Sequence, residues 1–303
     1  MSKILIAGGS GSLGLAIADS LQRQGHEVFI LTRTHKPNLR YEQVIWDGKA
    51  LGENVKDIFK GSILINLAGE LVDRVPTKKN VELLSASRVE PTRALAQAAR
   101  DYGKPKIWLQ ISTLAIYGDA GEQTLTEDSL PADGPAQMAG VAKAWEAEVD
   151  ETLAERLVIM RTAVVLQPNT PALNRLVTIT KMFMGGQVGN GRQWFSWIHY
   201  KDFLNAIDFL IKTDVSGVVH LTSPEPVRNK DLMASLRKAL KRGFAIPTPK
   251  LAITVGAWLV FRTDPQLALT GRKAFPNKLQ KKGFVFEHPE LDEALRDLLL
   301  ISK

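Results

Sequence analysis

Lys3-Ile4-Leu5-Ile6-Ala7-Gly8-Gly9-Ser10-Gly11-Ser12-Leu13-Gly14 is an apolar run that breaks into glycines at positions 8, 11 and 14, followed by a helical pattern reaching Gly25. That order predicts a strand, a tight turn and a helix N-terminus. The first glycine allows a turn conformation closed to side chains, and the second lets backbone N–H groups approach a pyrophosphate. The third lets helix and strand pack closely. The helix dipole then favours negative charge at the turn.

The same alternation continues outward. Further strand-like segments lie at 28–31, 43–46, 62–67, 106–112 and 157–161, and helical patterns at 12–24, around 80–100 and at 137–154. Near-continuous apolar strands imply burial on both faces, hence a parallel sheet covered by helices. The expected fold class is α/β, a Rossmann-type doubly wound parallel sheet. Beyond residue 161 the character changes. A glycine-rich, aromatic stretch runs from Gly185 to Trp197, a helical pattern spans 202–212, and a short strand lies near 218–221. The remainder is helical pieces punctuated by Pro224, Pro226, Pro247, Pro249, Pro265 and Pro276. Residues 1–165 with about 196–222 are expected to form the dinucleotide-binding domain. About 166–195 with 223–303 should form a small, mainly helical substrate-side domain.

Bulk composition narrows the function. At 303 residues, 45% hydrophobic and 23% charged, this is an ordinary globular chain. It has no cysteine, which excludes thiolate catalysis, disulfides and cysteine zinc ligands. Five scattered histidines argue against a metal site. The net charge of +7 is spread along the chain rather than clustered, which points away from nucleic acid and suits an anionic cofactor or substrate. The apolar run 251–261 is too short to span a bilayer. The first residues enter a strand with no charged-then-apolar leader, so a cytoplasmic location without membrane association is expected.

The second strand ends Leu31-Thr32-Arg33, where an acidic residue would select an unphosphorylated ribose. A guanidinium there can bind a 2′-phosphate bidentately, so Arg33, with Lys36 nearby, points to NADP(H). Arg33 could instead simply close the edge of the sheet. Asp47, after the third strand, is placed either to accept from the adenine amino group or to make the turn before Gly48.

Several further motifs carry a family resemblance: Asn66-Leu67-Ala68-Gly69-Glu70, Ser87-Arg88, Ser112-Thr113 with Tyr117-Gly118, Trp145-Glu146, Arg161-Thr162, Gly189–His199, Pro224–Asn229 and Lys278-Leu279. Together with the opening glycines they resemble the extended and atypical short-chain dehydrogenase/reductases. The match is similar to an epimerase-family branch with a C-terminal domain of poorly known function. It covers essentially the whole chain. The resemblance implies cofactor contacts from Gly8, Gly11, Ser12, Leu13, Arg33, Asp47, Leu67, Ala68, Gly69, Ser112 and Lys143. Arg192, Gln193 and Trp194 offer a cation, an amide and an aromatic face for a substrate pocket, or else form an interdomain buckle.

In the wider superfamily a Ser/Thr, a Tyr and a Lys carry the reaction, the last two at i and i+4 on one helix face. Thr113 and Lys143 fill the first and third places. Ala139 stands where the Tyr is expected, and a methyl group transfers no proton. Tyr117 is the other phenol available as a candidate, and a structural role is its alternative. Asn66 should brace a turn, His199 should be structural with Asp202 as its nearest partner, and Glu122, Glu127 and Asp128 should be solvated. The expected function is an NADP(H)-dependent oxidoreductase or epimerase-like enzyme acting on a small carbonyl or sugar-type substrate, as monomer or homodimer. The alternative is a non-catalytic NADP(H)-binding sensor or scaffold.

Overall fold

The computed structural model describes residues 1–245 and 264–301; the apolar run 251–261, Pro247 and Pro249 lie outside the described residues. Seven strands make one sheet: β1 (Lys3–Ala7), β2 (Glu27–Thr32), β3 (Glu42–Ile45), β4 (Ile63–Asn66), β5 (Ile107–Thr113), β7 (Arg156–Thr162) and β11 (Gly217–Leu221). Their order is β11-β7-β5-β4-β1-β2-β3, and every pairing is parallel. Chain order reverses between β1 and β4, where Ala7 is in register with Asn66. In open α/β sheets this switch point is where ligands bind.

Alternation within β1 assigns its side chains to two cores. Ile4 and Ile6 join Ile17, Ala18 and Leu21 of helix α1 (Ser12–Arg23) and Phe203, Ile207 and Leu210 of helix α6 (Tyr200–Lys212). Leu5 and Ala7 face Ala94, Leu95, Ala98 and Ala99 of helix α3 (Lys78–Tyr102). Ile4, Leu5 and Ile6 are fully buried, each contributing roughly 1.5–3 kcal/mol. This two-sided burial is why the sheet strands read as continuous apolar runs.

A third buried cluster gathers Leu166, Leu173, Trp197, Leu232, Met233, Leu236, Leu295 and Leu298. It involves β8 (Val164–Leu166), helix α5 (Pro171–Lys181), β10 (Trp197–His199), helix α7 (Asn229–Ala239) and the helix Leu291–Ile301. Small sheets tie the later segments together. β8 pairs with β10, β9 (Trp194–Phe195) with β12 (Val227–Arg228), and β6 (Thr124–Leu125) with β13 (Lys273–Ala274). Among the described residues no helix is long and apolar enough to cross a membrane.

The continuous helix expected over 137–154 is a correction. A wide π-type turn spans Ala136–Gly140, helix α4 covers only Val141–Glu146, and a single 3₁₀ turn follows at Glu151–Leu153. Two anchors hold α4 short. Trp145 Nε1 donates to Thr92 Oγ1 at 3.0 Å, and the Glu146 carboxylate is held by residues of β5 and β7. The Asp150 carboxylate then caps the 3₁₀ turn by accepting from Thr152 N–H.

Candidate active site

The switch point is built by close backbone contact. Gly8 has φ +75°, and a Cβ there would lie 2.8 Å from the Leu67 carbonyl carbon. A Cβ at Gly14 would lie 2.5 Å from the Gly9 Cα, so α1 packs against the turn only without a side chain. At Gly11 the nearest atom to a Cβ is the Gly8 carbonyl oxygen at 3.4 Å, which leaves the face open. Gly11 is the N-cap of α1, with no side-chain cap and no acidic residue in the first turn. The amides of Ser12, Leu13 and Gly14 thus have no intrahelical acceptor, and this end of the helix suits a pyrophosphate. Ser12 Oγ also donates to Gln167 Oε1 at 3.0 Å, a partner beyond reach of local sequence reasoning.

On the β4 side, buried Asn66 braces the turn as expected. Its Oδ1 accepts from Ala68 N–H at 3.1 Å, and its Nδ2 donates to Thr92 Oγ1 and Gln110 Oε1, both at 2.9 Å. Gly69 lies against buried Arg88, where a Cβ would come within 3.1 Å of the guanidinium. Arg88 donates to the Glu70 carbonyl at 2.8 Å and to the Leu84 carbonyl at 3.0 Å. Burial pulls its pKa down to about 10. The Glu70 side chain lies 3.8 Å from Arg33 and 3.2 Å from Arg74. Arg33 stands at the end of β2 with its side chain 76% exposed, free to meet a ligand. Asp47 Oδ1 accepts from Lys49 and Ala50 N–H, at 2.7 and 2.9 Å, which makes it a turn residue and lowers its pKa.

At the end of β5, Thr113 Oγ1 accepts from Ala115 N–H at 3.1 Å, so its hydroxyl proton is the part left to donate. Ser112 Oγ donates to Glu146 Oε1 at 2.5 Å. Glu146 also takes a bidentate pair from Arg161, at 3.0 and 2.8 Å. Burial alone would lower the Arg161 pKa, but the carboxylate more than reverses this and raises it. The Ser112–Glu146 bond docks α4, which carries Lys143, on the end of β5 that carries Thr113. Lys143 is partly exposed, 3.5 Å from Asp133.

Tyr117 lies elsewhere in this network. It is 4% exposed; its oxygen accepts from Arg161 Nη1 at 2.8 Å and its proton is donated to His220 Nε2 at 2.7 Å. His220 Nδ1–H in turn donates to the Phe275 carbonyl at 3.1 Å. Burial raises the phenol's pKa, the wrong direction for an acid at neutral pH. Burial also holds His220 at about pKa 4. Because that lies below the unfolded value of about 6.5, the unfolded chain binds more protons between those pH values. Stability is therefore present above pH 6.5 and lost as pH falls towards 4. Urea midpoints are expected to drop across that window, and His220→Asn to flatten the drop while lowering stability at pH 7.

Two expectations are corrected. His199 is held by Asp297, 3.2 Å from its Nε2, while Asp202 accepts from the Glu287 and His288 amides. His199, His288 and Asp297 offer atoms within 4.8 Å of one another. However, His199 Nδ1 accepts from Lys201 N–H at 3.2 Å, which leaves the ring proton on Nε2, the nitrogen a metal would need. Lys201 Nζ, 3.1 Å from Asp297, already supplies the cation. Glu127 is buried rather than solvated, because the Lys278 and His220 amides donate to it.

A cleft of about 170 Å³ is lined by Asp119, Glu122, Arg192, Gln193 and Gly271, among others. Arg192 is exposed in it, while the Gln193 amide donates to the Val188 and Ala268 carbonyls. Trp194 does not offer a bare face. Arg228 sits 3.9 Å from its ring centroid, Lys273 4.9 Å, and its Nε1 donates to Glu122 at 3.0 Å. Glu122 is salt-bridged to Arg228, which holds its pKa down at about 2.

A model of the NAD-dependent epimerase/dehydratase family matches residues 4–221. The chain belongs to that family. A domain of unknown function, DUF1731, matches residues 248–298. The epimerase family protein YfhF of Bacillus subtilis is 32% identical, covering 99% of both chains, and SAR0825 of Staphylococcus aureus is 30% identical with the same coverage. Among solved structures, the human epimerase family protein SDR39U1 with NADPH has a TM-score of 0.85 at 26% identity, covering 97% of this chain and 98% of its own. A UDP-glucose 4-epimerase from Thermus thermophilus with NAD matches at TM-score 0.76 and 18% identity, over 99% of this chain and 98% of its own, a likeness of fold.

In this epimerase-family chain, sequence reasoning missed Gln167, Glu70 as the neighbour of Arg33, and the Glu146–Arg161 pair. Trp145-Glu146 and Arg161-Thr162 were visible as motifs. Only folding shows that they meet.

Proposed function

We propose that this chain binds NADP(H) and carries out oxidoreductase or epimerase-like chemistry on a small carbonyl or sugar-type substrate. The observation that carries the reading is Arg33, an exposed guanidinium on the strand beside an uncapped helix N-terminus. A diphosphate suits the amides of residues 12–14, and a 2′-phosphate suits the cation. The human relative's structure with NADPH supports the same choice.

When bound, the nicotinamide ring supplies or accepts a hydride. Leu67, Ala68 and Gly69 would border the dinucleotide from β4, and Ser112 would fix the helix that carries Lys143. Thr113 would orient a substrate oxygen with its free O–H, and Lys143 would hold the ribose and favour negative charge on that oxygen. Tyr117 would steady Arg161 and the end of β5 rather than touch substrate. Reduction of a panel of aldehydes, ketones and nucleotide sugars tests this. One class is expected to oxidise NADPH, with Thr113→Val losing about 100-fold or more in turnover while NADPH still binds.

A second reading, cofactor binding without turnover, is favoured by Ala139, fully buried where a proton donor is expected. Tight NADPH binding with no turnover on any member of the panel would select it.

A further inference from the structure

The C-terminal region brings one half-buried cation against the turn that leads into α4. Its backbone is pinned there: Gly271 N–H donates to Asp119 Oδ1 at 2.9 Å, Ala120 N–H to the Gly271 carbonyl at 3.0 Å, and Arg272 N–H to the Trp194 carbonyl at 3.0 Å. The Arg272 side chain then reaches the π-type turn that leads into α4. Its Nη2 donates to Met138 Sδ at 3.3 Å and to Thr270 Oγ1 at 2.9 Å. Met138 directly precedes Ala139, so this guanidinium contacts the turn that carries Ala139.

What distinguishes Arg272 is what it lacks. Its Nε is buried without a hydrogen-bond partner, and among the described residues no carboxylate lies within ion-pair distance of it. The Nε atoms of Arg74 and Arg242 are also buried without partners, but Arg74 is paired with Glu70 and Arg242 lies over the Phe183 ring. Three further interior guanidiniums are well bonded. Arg161 has Glu146, Arg156 has the carbonyls of Leu210, Ile211 and Val215, and Arg88 has two carbonyls and Ser87. A thioether and a hydroxyl are poor substitutes, because buried charge is costly unless paired or fully hydrogen-bonded. Burial lowers the Arg272 pKa to about 10, with Asp119 opposing the shift, so the group is still charged at neutral pH. Asp119 attracts it from beyond ion-pair distance while accepting from Gly271. The site as folded is one negative charge short.

We propose that Arg272 anchors a carboxylate or phosphate group on the substrate, placing the adjacent carbonyl against Thr113 and Lys143. The forked N–H donors of a guanidinium match either oxyanion bidentately. Asp119 and Glu122 line the neighbouring cleft that Gly271 borders, so a single anionic group fits better than a polyphosphate. The substrate class becomes small anionic carbonyl compounds, and the domain of unknown function gains a role in recognising them. This inference rests on the proposed use of the Thr113–Lys143 end as the reacting site.

The test uses the full chain, with and without saturating NADPH, titrated with inorganic phosphate and with oxamate while thermal unfolding and heat of binding are followed. Wild type should be stabilised by at least one oxyanion, phosphate or oxamate showing which group the site prefers, and Arg272→Met should bind it at least tenfold more weakly. Without oxyanion, Arg272→Met should melt at or above the wild-type temperature, since it removes an uncompensated buried charge. Arg272→Lys, which keeps the charge and loses the fork, should fall between. Oxyanion binding unchanged in Arg272→Met, no oxyanion response in wild type, or a methionine variant that melts well below wild type or fails to fold would each overturn the proposal. Loss of NADPH binding by wild type would instead sink the cofactor reading, because the titration without NADPH reports on Arg272 alone.

Discussion

Glu146→Ala is expected to destabilise the fold by about 3–5 kcal/mol, the cost of leaving a buried charge without its partner. The Arg161 side chain is only 7% exposed and Glu146 12%, and the pair is bidentate. Removing the carboxylate strands Arg161 with Tyr117 as its one remaining side-chain partner, and it also frees Ser112 Oγ. Urea unfolding should show a lower midpoint with an unchanged slope, the mark of lost stability rather than altered compactness. Arg161→Met in the same chain should return much of the loss, because a thioether of similar length asks for no counter-ion. If Glu146→Ala unfolds at the wild-type midpoint, the pair is not what docks α4 on β5 and β7. The same experiment reaches function, since α4 carries Lys143. The single variant is expected to lose activity even at temperatures where it remains folded.

This pair also shows where the sequence stops being readable. The seven strands of the sheet were located to within about a residue or two, because the inner ones are buried on both faces and so nearly uninterrupted in apolar residues, while edge strand β3 is the more exposed exception. The nucleotide turn was legible for a local reason: Gly8 takes a positive φ, and Gly14 is forced by the backbone of Gly8 and Gly9 in the same short segment. Arg33 was legible because it ends a strand whose neighbour is the glycine turn. By contrast, residues 137–154 carry enough helical pattern to suggest one long helix, and only the distant Thr92, Ser112 and Arg161 fix α4 at its observed length. β8, β9, β10, β12 and β13 are two or three residues each and have no period of their own. They exist because partners up to about 150 residues away in the chain supply the hydrogen bonds. Glu127 and Arg272 belong to the same class. A carboxylate after β6 reads as solvated until two amides from β11 and the C-terminal region arrive, and nothing local in the sequence marks Arg272 as the residue that meets Met138.

Arg33→Met should lower NADPH affinity about 10- to 100-fold, the worth of one or two charge-assisted hydrogen bonds, while leaving NADH affinity nearly unchanged. Isothermal titration with both dinucleotides reads the two effects separately. The specificity of the loss follows from position. Arg33 directly follows β2, one strand over from the turn proposed to hold the diphosphate, so its guanidinium would address the adenosine ribose without touching the rest of the molecule. Its contact with Glu70 is loose at 3.8 Å and largely solvated, and Arg74 at 3.2 Å holds that carboxylate independently. A dianionic phosphate therefore competes well for Arg33 and leaves Glu70 still paired. Because the guanidinium is exposed, the preference for NADPH should also weaken as ionic strength rises, whereas the part of the affinity contributed by the α1 amides should respond less. Equal losses of NADPH and NADH affinity in Arg33→Met would place the arginine at the diphosphate instead of the 2′-phosphate. No loss of either would return it to the role of an edge residue on the sheet.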